Sequence, residues 1–233
     1  MTEPRNRPAQ PRQPRRPQAV DPAPAAHAVA VEVVVLDGDT CDAAVGVLAR
    51  GMRDNPVHQA VFGPDPTRRV RRLEHMFQPV LGLWHHPHPV ICAWLDGVLV
   101  GVSGMLPPGT CRPGPTLTVR LAAPVLAAGP GDALRGLRWF AAWGRRNPRQ
   151  PHWHLGPVAV DAHLQGRGIG SQMLAAFAAR VDERGEPAYL ETDKPENVRF
   201  YQRFGFQVCG EATVLGTRNW FMWRQPGGGA AGP

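Results

Sequence analysis

Several features that mark common protein classes are missing from this chain. The four cysteines, Cys41, Cys92, Cys111 and Cys209, are scattered and form no C-x-x-C pair, which excludes the usual zinc and redox motifs. No segment approaches the roughly 18 consecutive apolar residues of a membrane-spanning helix, and the Arg-rich N-terminus lacks the apolar core of a secretory signal. We therefore expect reduced thiols, a cytoplasmic location and no membrane association.

The net positive charge is low outside the N-terminal segment. Lys194 is the only lysine among 26 basic residues, and residues 1–18 hold five arginines against one glutamate, more than half of the net charge of +7. The remainder of the chain is nearly balanced, and no aromatic residue interleaves the N-terminal arginines to stack on bases. We do not expect a nucleic-acid partner, and we interpret residues 1–28 as a disordered Pro/Arg-rich tail.

The hydrophobic pattern predicts strands that alternate with helices. Strands are expected in the β-branched run from about residue 29, in a hairpin over 89–106 with its turn at Asp96-Gly97, and over 152–160, 187–192, 206–215 and 218–224. Helices are expected over 41–52, 63–84, 116–128, 131–146, 168–184 and 195–204. The sum is one α/β (α+β) domain over 29–224 around a mostly antiparallel sheet, followed by a flexible tail at 225–233.

The loop before the 168–184 helix carries three closely spaced glycines, Gly166, Gly168 and Gly170. A strand, a glycine loop and a helix together present backbone N–H groups and a positive helix end to phosphate. The loop is not a P-loop, because the chain has no G-x-x-x-x-G-K-[ST]. Its spacing also departs from the dinucleotide G-x-G-x-x-G. Although Glu191 lies where a ribose-binding acid would, only one βαβ unit fits the chain.

With the spacing Q-x-x-G-x-G, from Gln165 to Gly170, the loop resembles the acetyl-CoA pyrophosphate loop of the GNAT N-acetyltransferase superfamily. The later N-x-x-F-Y-x-x-x-G-F, from Asn197 to Phe206, is similar to that family's second hallmark. Together these segments most resemble the puromycin N-acetyltransferase-like branch, which acetylates small amines, antibiotics among them. The resemblance implies a GNAT fold of six to seven strands, acetyl-CoA as co-substrate, no metal, and direct transfer of acetyl to a primary amine in a ternary complex.

The resemblance also implies roles for individual residues. A bulge or splay is expected at Gly156-Pro157, where the strand would bind the pantetheine arm like an added strand. The loop would hold the pyrophosphate, and Asn197 would bond the pantetheine or cap its helix. The implied cofactor-binding set is Val158, Ala159, Val160, Gln165, Gly166, Arg167, Gly168, Ile169, Gly170, Ser171 and Asn197. Tyr201 would face the departing sulfur, since a phenol of pKa about 10 can protonate a thiolate.

The catalytic base is left open between Glu191 and His154. Glu191 ends the strand beside the expected splay. His154 and His152 share one face of the cofactor strand by two-residue alternation, and an imidazole of pKa about 6.5 suits a base at neutral pH. His154 departs from the aromatic residue of the puromycin-like pattern, so it could instead line the acceptor pocket. A water relay is a third route.

Other functions remain open as well. The acceptor could be a protein lysine or N-terminus, or the domain could be a non-catalytic acetyl-CoA-sensing module with a basic tail. The proline-broken stretch with His85, His86 and His88 has no accompanying carboxylate or cysteine pattern, so no metal is expected there. The sequence does not identify the acceptor amine, and it leaves a homodimer open.

Overall fold

The structure, a computed structural model, describes residues 29–34, 38–84, 89–111 and 129–227. Seven strands within these ranges form one sheet: β1 (Val29–Val34), β2 (Val90–Leu95), β3 (Val98–Leu106), β4 (Trp153–Val160), β5 (Ala188–Thr192), β6 (Gln207–Val214) and β7 (Thr217–Arg224). Their order across the sheet is β1-β2-β3-β4-β5-β7-β6. Every neighbouring pair is antiparallel except β4 and β5, which run parallel. The predicted mixed, mostly antiparallel sheet is confirmed.

Six helices occur in the described ranges: α1 (Gly38–Gly51), α2 (Pro56–Phe62), α3 (Pro66–Trp84), α4 (Pro130–Gly144), α5 (Ile169–Glu183) and α6 (Pro195–Gln202). Four of them begin at proline, whose fixed φ suits the first helical position and whose missing N–H would be unpaired there in any case. Ahead of α3, Asp65 Oδ1 accepts hydrogen bonds from the N–H groups of Thr67 (2.9 Å) and Arg68 (3.2 Å). Asp65 is therefore the N-cap that the sequence predicts.

Buried apolar side chains cover both faces of the sheet. Along β2, Val90 and Cys92 belong to one core while Ile91 and Ala93 belong to the other, as two-residue alternation requires. The first core also contains the apolar faces of α1 to α4, and the second contains those of α5 and α6. The sheet therefore carries helices on both faces. Within the described residues no helix has the length and apolar composition of a membrane span.

The sequence misses one helix and misplaces the start of another. It predicts a connection where α2 lies, because Asn55-Pro56 and Gly63-Pro64 are turn signals and seven residues between them show little periodicity. The helix expected from residue 41 begins at Gly38. Of the tail expected over 225–233, the structure describes residues 225–227, where the N–H of Gly227 donates to Asp182 Oδ1 at 3.0 Å. The helix expected over 116–128 lies outside the described residues.

Candidate active site

The strands β4 and β5 separate shortly after they begin. Their parallel ladder comprises two pairs, Trp153 with Ala188 and His154 with Tyr189, although both strands continue beyond it. On its other side β4 pairs with β3, and the register shifts opposite Gly156-Pro157. The bulge and the splay predicted from the glycine and the proline are therefore both present. The edge of β4 that faces the splay carries backbone groups free to pair with an added strand.

The glycine loop lies directly after the open end of β4. Gly166 and Gly168 have φ angles of +79° and +83°, a left-handed conformation that strongly favours glycine. A Cβ at either position would meet no other atom within 4 Å, so both face open space. The carbonyl of Gly168 accepts the N–H groups of Ser171 (3.0 Å) and Gln172 (3.2 Å). The N–H groups before these lie in the first turn of α5, where a helix supplies no internal acceptor, and they suit a phosphate.

Gln165 and Asp161 hold this loop in position. The side-chain amide of Gln165 donates to the carbonyls of Gly51 (3.1 Å) and Val160 (3.0 Å), which joins the ends of α1 and β4. Arg50 donates from Nε and Nη2 to Asp161 Oδ2 at 2.9 and 2.6 Å. Both N–H groups of the Gln165 side-chain amide are therefore used in hydrogen bonds within the protein. A contact of Gln165 with the cofactor stays a prediction.

The remaining predicted cofactor residues differ in what they expose. Arg167 is exposed, while Val158, Ser171 and Asn197 are half-buried. Ile169 is only 2% exposed, and its side chain packs in the second core. Ile169 can therefore offer a ligand its backbone but not its side chain.

Helix α6 closes the far side of the splay. A Cβ at Gly170 would lie 3.5 Å from Phe200 Cζ and 3.8 Å from Val160 Cγ2, so the end of β4, the start of α5 and α6 meet at this point. The next residue, Tyr201, is 7% exposed, and its ring packs against Phe200 and Phe206. Burial, together with the nearby Asp193 carboxylate, raises the pKa of Tyr201 above its ordinary value. The phenol is therefore protonated, as a proton donor must be.

The two candidate bases are in contact. His154 Nε2 lies 2.8 Å from Glu191 Oε2, at the point where the β4–β5 ladder ends. Burial by itself would lower the pKa of His154, but the Glu191 carboxylate and the Cys111 side chain together outweigh it and raise the pKa to about 10. The two residues that the sequence offers as alternative bases therefore lie in contact, and the role of either as the base stays a prediction. The Glu191 carboxylate therefore stabilises the protonated form of the His154 imidazole.

Sequence reasoning missed two polar side chains near this site. Asp193, which follows β5, accepts the N–H of Val57 at 2.6 Å and so fixes the start of α2. Cys111 lies between β3 and α4, close to His152 and His154. Burial would raise the pKa of Cys111, but the two histidines outweigh it and lower the pKa to about 7. Asp193 and Cys111 contact residues of other elements, and such distant contacts leave no trace in local sequence patterns.

Comparison with known proteins gives the family. Residues 58–206, more than half of the chain, match the family model of the acetyltransferase (GNAT) family. The chain belongs to the GNAT acetyltransferase family. The predicted family is confirmed, and the finer likeness to the puromycin N-acetyltransferase-like branch stays a prediction.

Individual relatives and structures agree with this membership. The probable spermine N(1)-acetyltransferase of Bacillus subtilis subsp. natto is 34% identical over 92 residues, which cover 38% of this chain and 59% of that relative. The chain thus spans less than two thirds of the curated relative that it matches.

Two solved structures share the fold. The structure of histone acetyltransferase HPA2 and related acetyltransferase of Corynebacterium glutamicum has a TM-score of 0.61 at 22% identity, covering 87% of this chain and 98% of that one. The polyamine N-acetyltransferase of Drosophila melanogaster has a TM-score of 0.55 at 14% identity, covering 84% and 100%. These two structures therefore share the overall fold of this GNAT protein.

Proposed function

We propose that this GNAT protein transfers the acetyl group of acetyl-CoA to the primary amine of a small molecule. The observation that carries the proposal is the β4–β5 splay, which opens next to the glycine loop and the first turn of α5. Acetyl-CoA, when bound, supplies an activated acetyl thioester. Its pantetheine arm suits the edge of β4 at Val158–Val160 that faces the splay, and its pyrophosphate suits the N–H groups around Gly168.

Three groups of the chain supply the proton chemistry. The Tyr201 hydroxyl is held protonated by burial, and it donates to the departing sulfur. The backbone N–H groups of the open part of β4 stabilise negative charge on the thioester oxygen. The proton that the amine nitrogen must lose goes to the Glu191 carboxylate, directly or through a water, and the protonated His154 imidazole that contacts Glu191 holds this carboxylate in place. Glu191 orients the ring, so the two earlier alternatives for the base become a single unit.

The acceptor is proposed to be a small amine of low charge. The name of the Bacillus relative indicates spermine as its substrate, and a polyamine needs free carboxylates to bind its several ammonium groups. Here Asp54 contacts Arg53 and Arg69, and the buried Asp132 contacts Arg68 and Arg135. Carboxylates already neutralised by arginine favour an amine with a single positive charge, in keeping with the puromycin-like branch. A protein lysine or N-terminus is the alternative acceptor.

A panel of acceptors tests the proposal. Free-thiol release from acetyl-CoA would be measured with aromatic and aliphatic monoamines, amine-bearing antibiotics, spermidine and lysine peptides. We expect release with monoamines at a kcat/KM at least about tenfold above that with spermidine. Tight binding of acetyl-CoA without release from any acceptor would favour the sensing module. Failure to bind any CoA species would overturn the interpretation of the splay and the loop.

The proposed location and boundaries come from the sequence. The domain spans about 29–224 with tails on either side, and the protein is proposed to act in the cytoplasm. Light scattering of the same protein preparation would show whether the protein forms a homodimer.

A further inference from the structure

Three side chains with metal-binding atoms lie together beside the proposed active site. Cys111, His152 and His154 each offer one ligand atom, and these atoms all lie within 4.8 Å of one another. His152 and His154 stand two residues apart at the start of β4, so alternation puts them on one face of the strand. Cys111 reaches the same place from the segment after β3. Thiol and imidazole are the ligands that Zn²⁺ prefers in proteins.

His152 has a hydrogen bond at one ring nitrogen and none at the other among the described residues. Its Nδ1 lies 2.7 Å from the carbonyl oxygen of Gln150, which can only accept, so Nδ1 carries the hydrogen and donates it. This leaves Nε2 of the neutral ring with a lone pair. His152 is 2% exposed, and its Nε2 is buried without a hydrogen-bond partner among the described residues. A buried lone pair of this kind lacks the partner that such groups nearly always have.

His154 repeats the arrangement with its nitrogens exchanged. Its Nε2 donates to Glu191 Oε2 at 2.8 Å, and its Nδ1 is buried without a hydrogen-bond partner in the described part of the chain. Histidines that bind metals commonly donate their second nitrogen to a carbonyl or a carboxylate, which fixes the ring and its tautomer. Gln150 and Glu191 are in the positions of these outer partners.

We propose that Cys111, His152 and His154 form a Zn²⁺ site. Three protein ligands leave a fourth position open, as in sites that bind a water or a substrate atom. Zn²⁺ bonds of about 2.0–2.3 Å in a tetrahedron place the ligand atoms about 3.3–3.7 Å from one another. Side-chain rotations that move each ligand atom by about 1 Å would bring the three atoms to these distances. Binding displaces any proton from the ligand atoms.

A consequence for activity follows, and this part alone rests on the proposed function. When Nδ1 binds Zn²⁺ and Nε2 contacts Glu191, both nitrogens of His154 are occupied and the ion lies beside the Glu191 carboxylate that the acceptor amine must approach. Zn²⁺ at this site should therefore inhibit acetyl transfer reversibly, and a chelator should restore it.

Binding is tested on the full-length, metal-free protein without reference to activity. Isothermal titration with Zn²⁺ should give one ion per chain, and Co²⁺ should give a thiolate-to-cobalt charge-transfer band. Cys111→Ser should remove the band, and Glu191→Ala should weaken Zn²⁺ binding by about 10–100-fold, as loss of an outer partner does. Cys209→Ser and His75→Ala, which remove an exposed thiol and an exposed imidazole outside the cluster, are the controls and should bind as the wild type does.

The outcomes separate the site from the proposed function. No binding, or binding that folded Cys111→Ser leaves unchanged while Cys209→Ser or His75→Ala abolishes it, would overturn the site. Loss of the band in Cys111→Ser together with inhibition of the wild type would support both the site and the role of His154. The same loss without inhibition would support the site and overturn the proposed role of His154.

Discussion

The His154 imidazole and the Glu191 carboxylate are 37 positions apart in the chain, yet their atoms lie 2.8 Å apart. Sequence patterns indicated each residue as a separate base, because alternation places side chains along one strand but not across two. Only the parallel pairing of β4 with β5 brings them together. The same limit hid Cys111, whose partners on β4 lie about forty residues further on. Tyr201, by contrast, was predictable because its motif is local.

At this scale the contact predicts that His154 and Glu191 act as a unit. His154→Ala and Glu191→Gln should each lower kcat/KM by about 10²–10⁴-fold, the scale of a lost general base. The double variant should be no worse than the poorer single variant, because groups that act together are not additive. The measurement is a double-mutant cycle of steady-state acetyl transfer. Multiplicative losses would contradict a shared role.

Among the elements, the glycine loop and the splay were the most predictable, since both depend on local backbone chemistry. The glycines with positive φ and the bulge at Gly156-Pro157 follow from residues that tolerate those conformations. Helix α2 was not predictable, because its position depends on the bond from Val57 to Asp193, a residue 136 positions away. Elements fixed by their own sequence could be found, and those fixed by distant partners could not.

Gly168→Ala tests the loop. The added methyl would be strained at φ +83°, at a cost of about 1–2 kcal/mol, and would project into the open space proposed for phosphate. We expect the Kd for acetyl-CoA to rise at least about tenfold in isothermal titration. Gly216→Ala is the matched control, because Gly216 has a φ of +77° and open surroundings in the β6–β7 turn. Equal loss of affinity in both variants would contradict a specific role of the loop.

The ion pair of Arg50 with Asp161 joins α1 to the same loop, and it should make the free energy of unfolding depend on pH. Burial would raise the pKa of Asp161, but Arg50 and then His163 outweigh it and hold the pKa below its ordinary value. A carboxyl whose pKa is lowered by folding stabilises the fold at neutral pH, and that stability is lost as the pH falls below about 4. Asp161→Asn should therefore lower the free energy of unfolding by about 1–3 kcal/mol at pH 7. Denaturant titrations should show this difference shrink towards pH 3, and a constant difference would contradict the ion pair.

For the whole molecule, two cores on opposite faces of one sheet support the proposed site, whose residues all lie within residues 29–224. The fold class was predictable because strand and helix signals alternate clearly along the chain. The order of the strands was not predictable, because it depends on which strands become neighbours in the sheet, and these can be distant in the sequence. The family resemblance supplied what the local patterns lacked.

At the scale of the whole molecule, we predict that acetyl transfer does not depend on residues 1–28. This segment holds five of the 26 basic residues and none of the proposed site residues. Acetyl transfer by residues 29–233 should retain kcat/KM within about twofold at physiological ionic strength, where exposed charges act over only about 8 Å. Steady-state kinetics of both forms measure the effect. A loss of transfer on truncation would contradict the proposed independence of the domain from its tail.

The most direct measurement is amine-dependent release of CoA thiol by the wild type beside Tyr201→Phe, at saturating acetyl-CoA. The variant removes one hydroxyl from a buried ring and leaves its packing on Phe200 and Phe206 in place. We predict release that requires an amine and falls by about 10²–10⁴-fold in the variant, as loss of one general acid does. Release that is unchanged in Tyr201→Phe, or that needs no amine, would contradict direct acetyl transfer with Tyr201 as the acid.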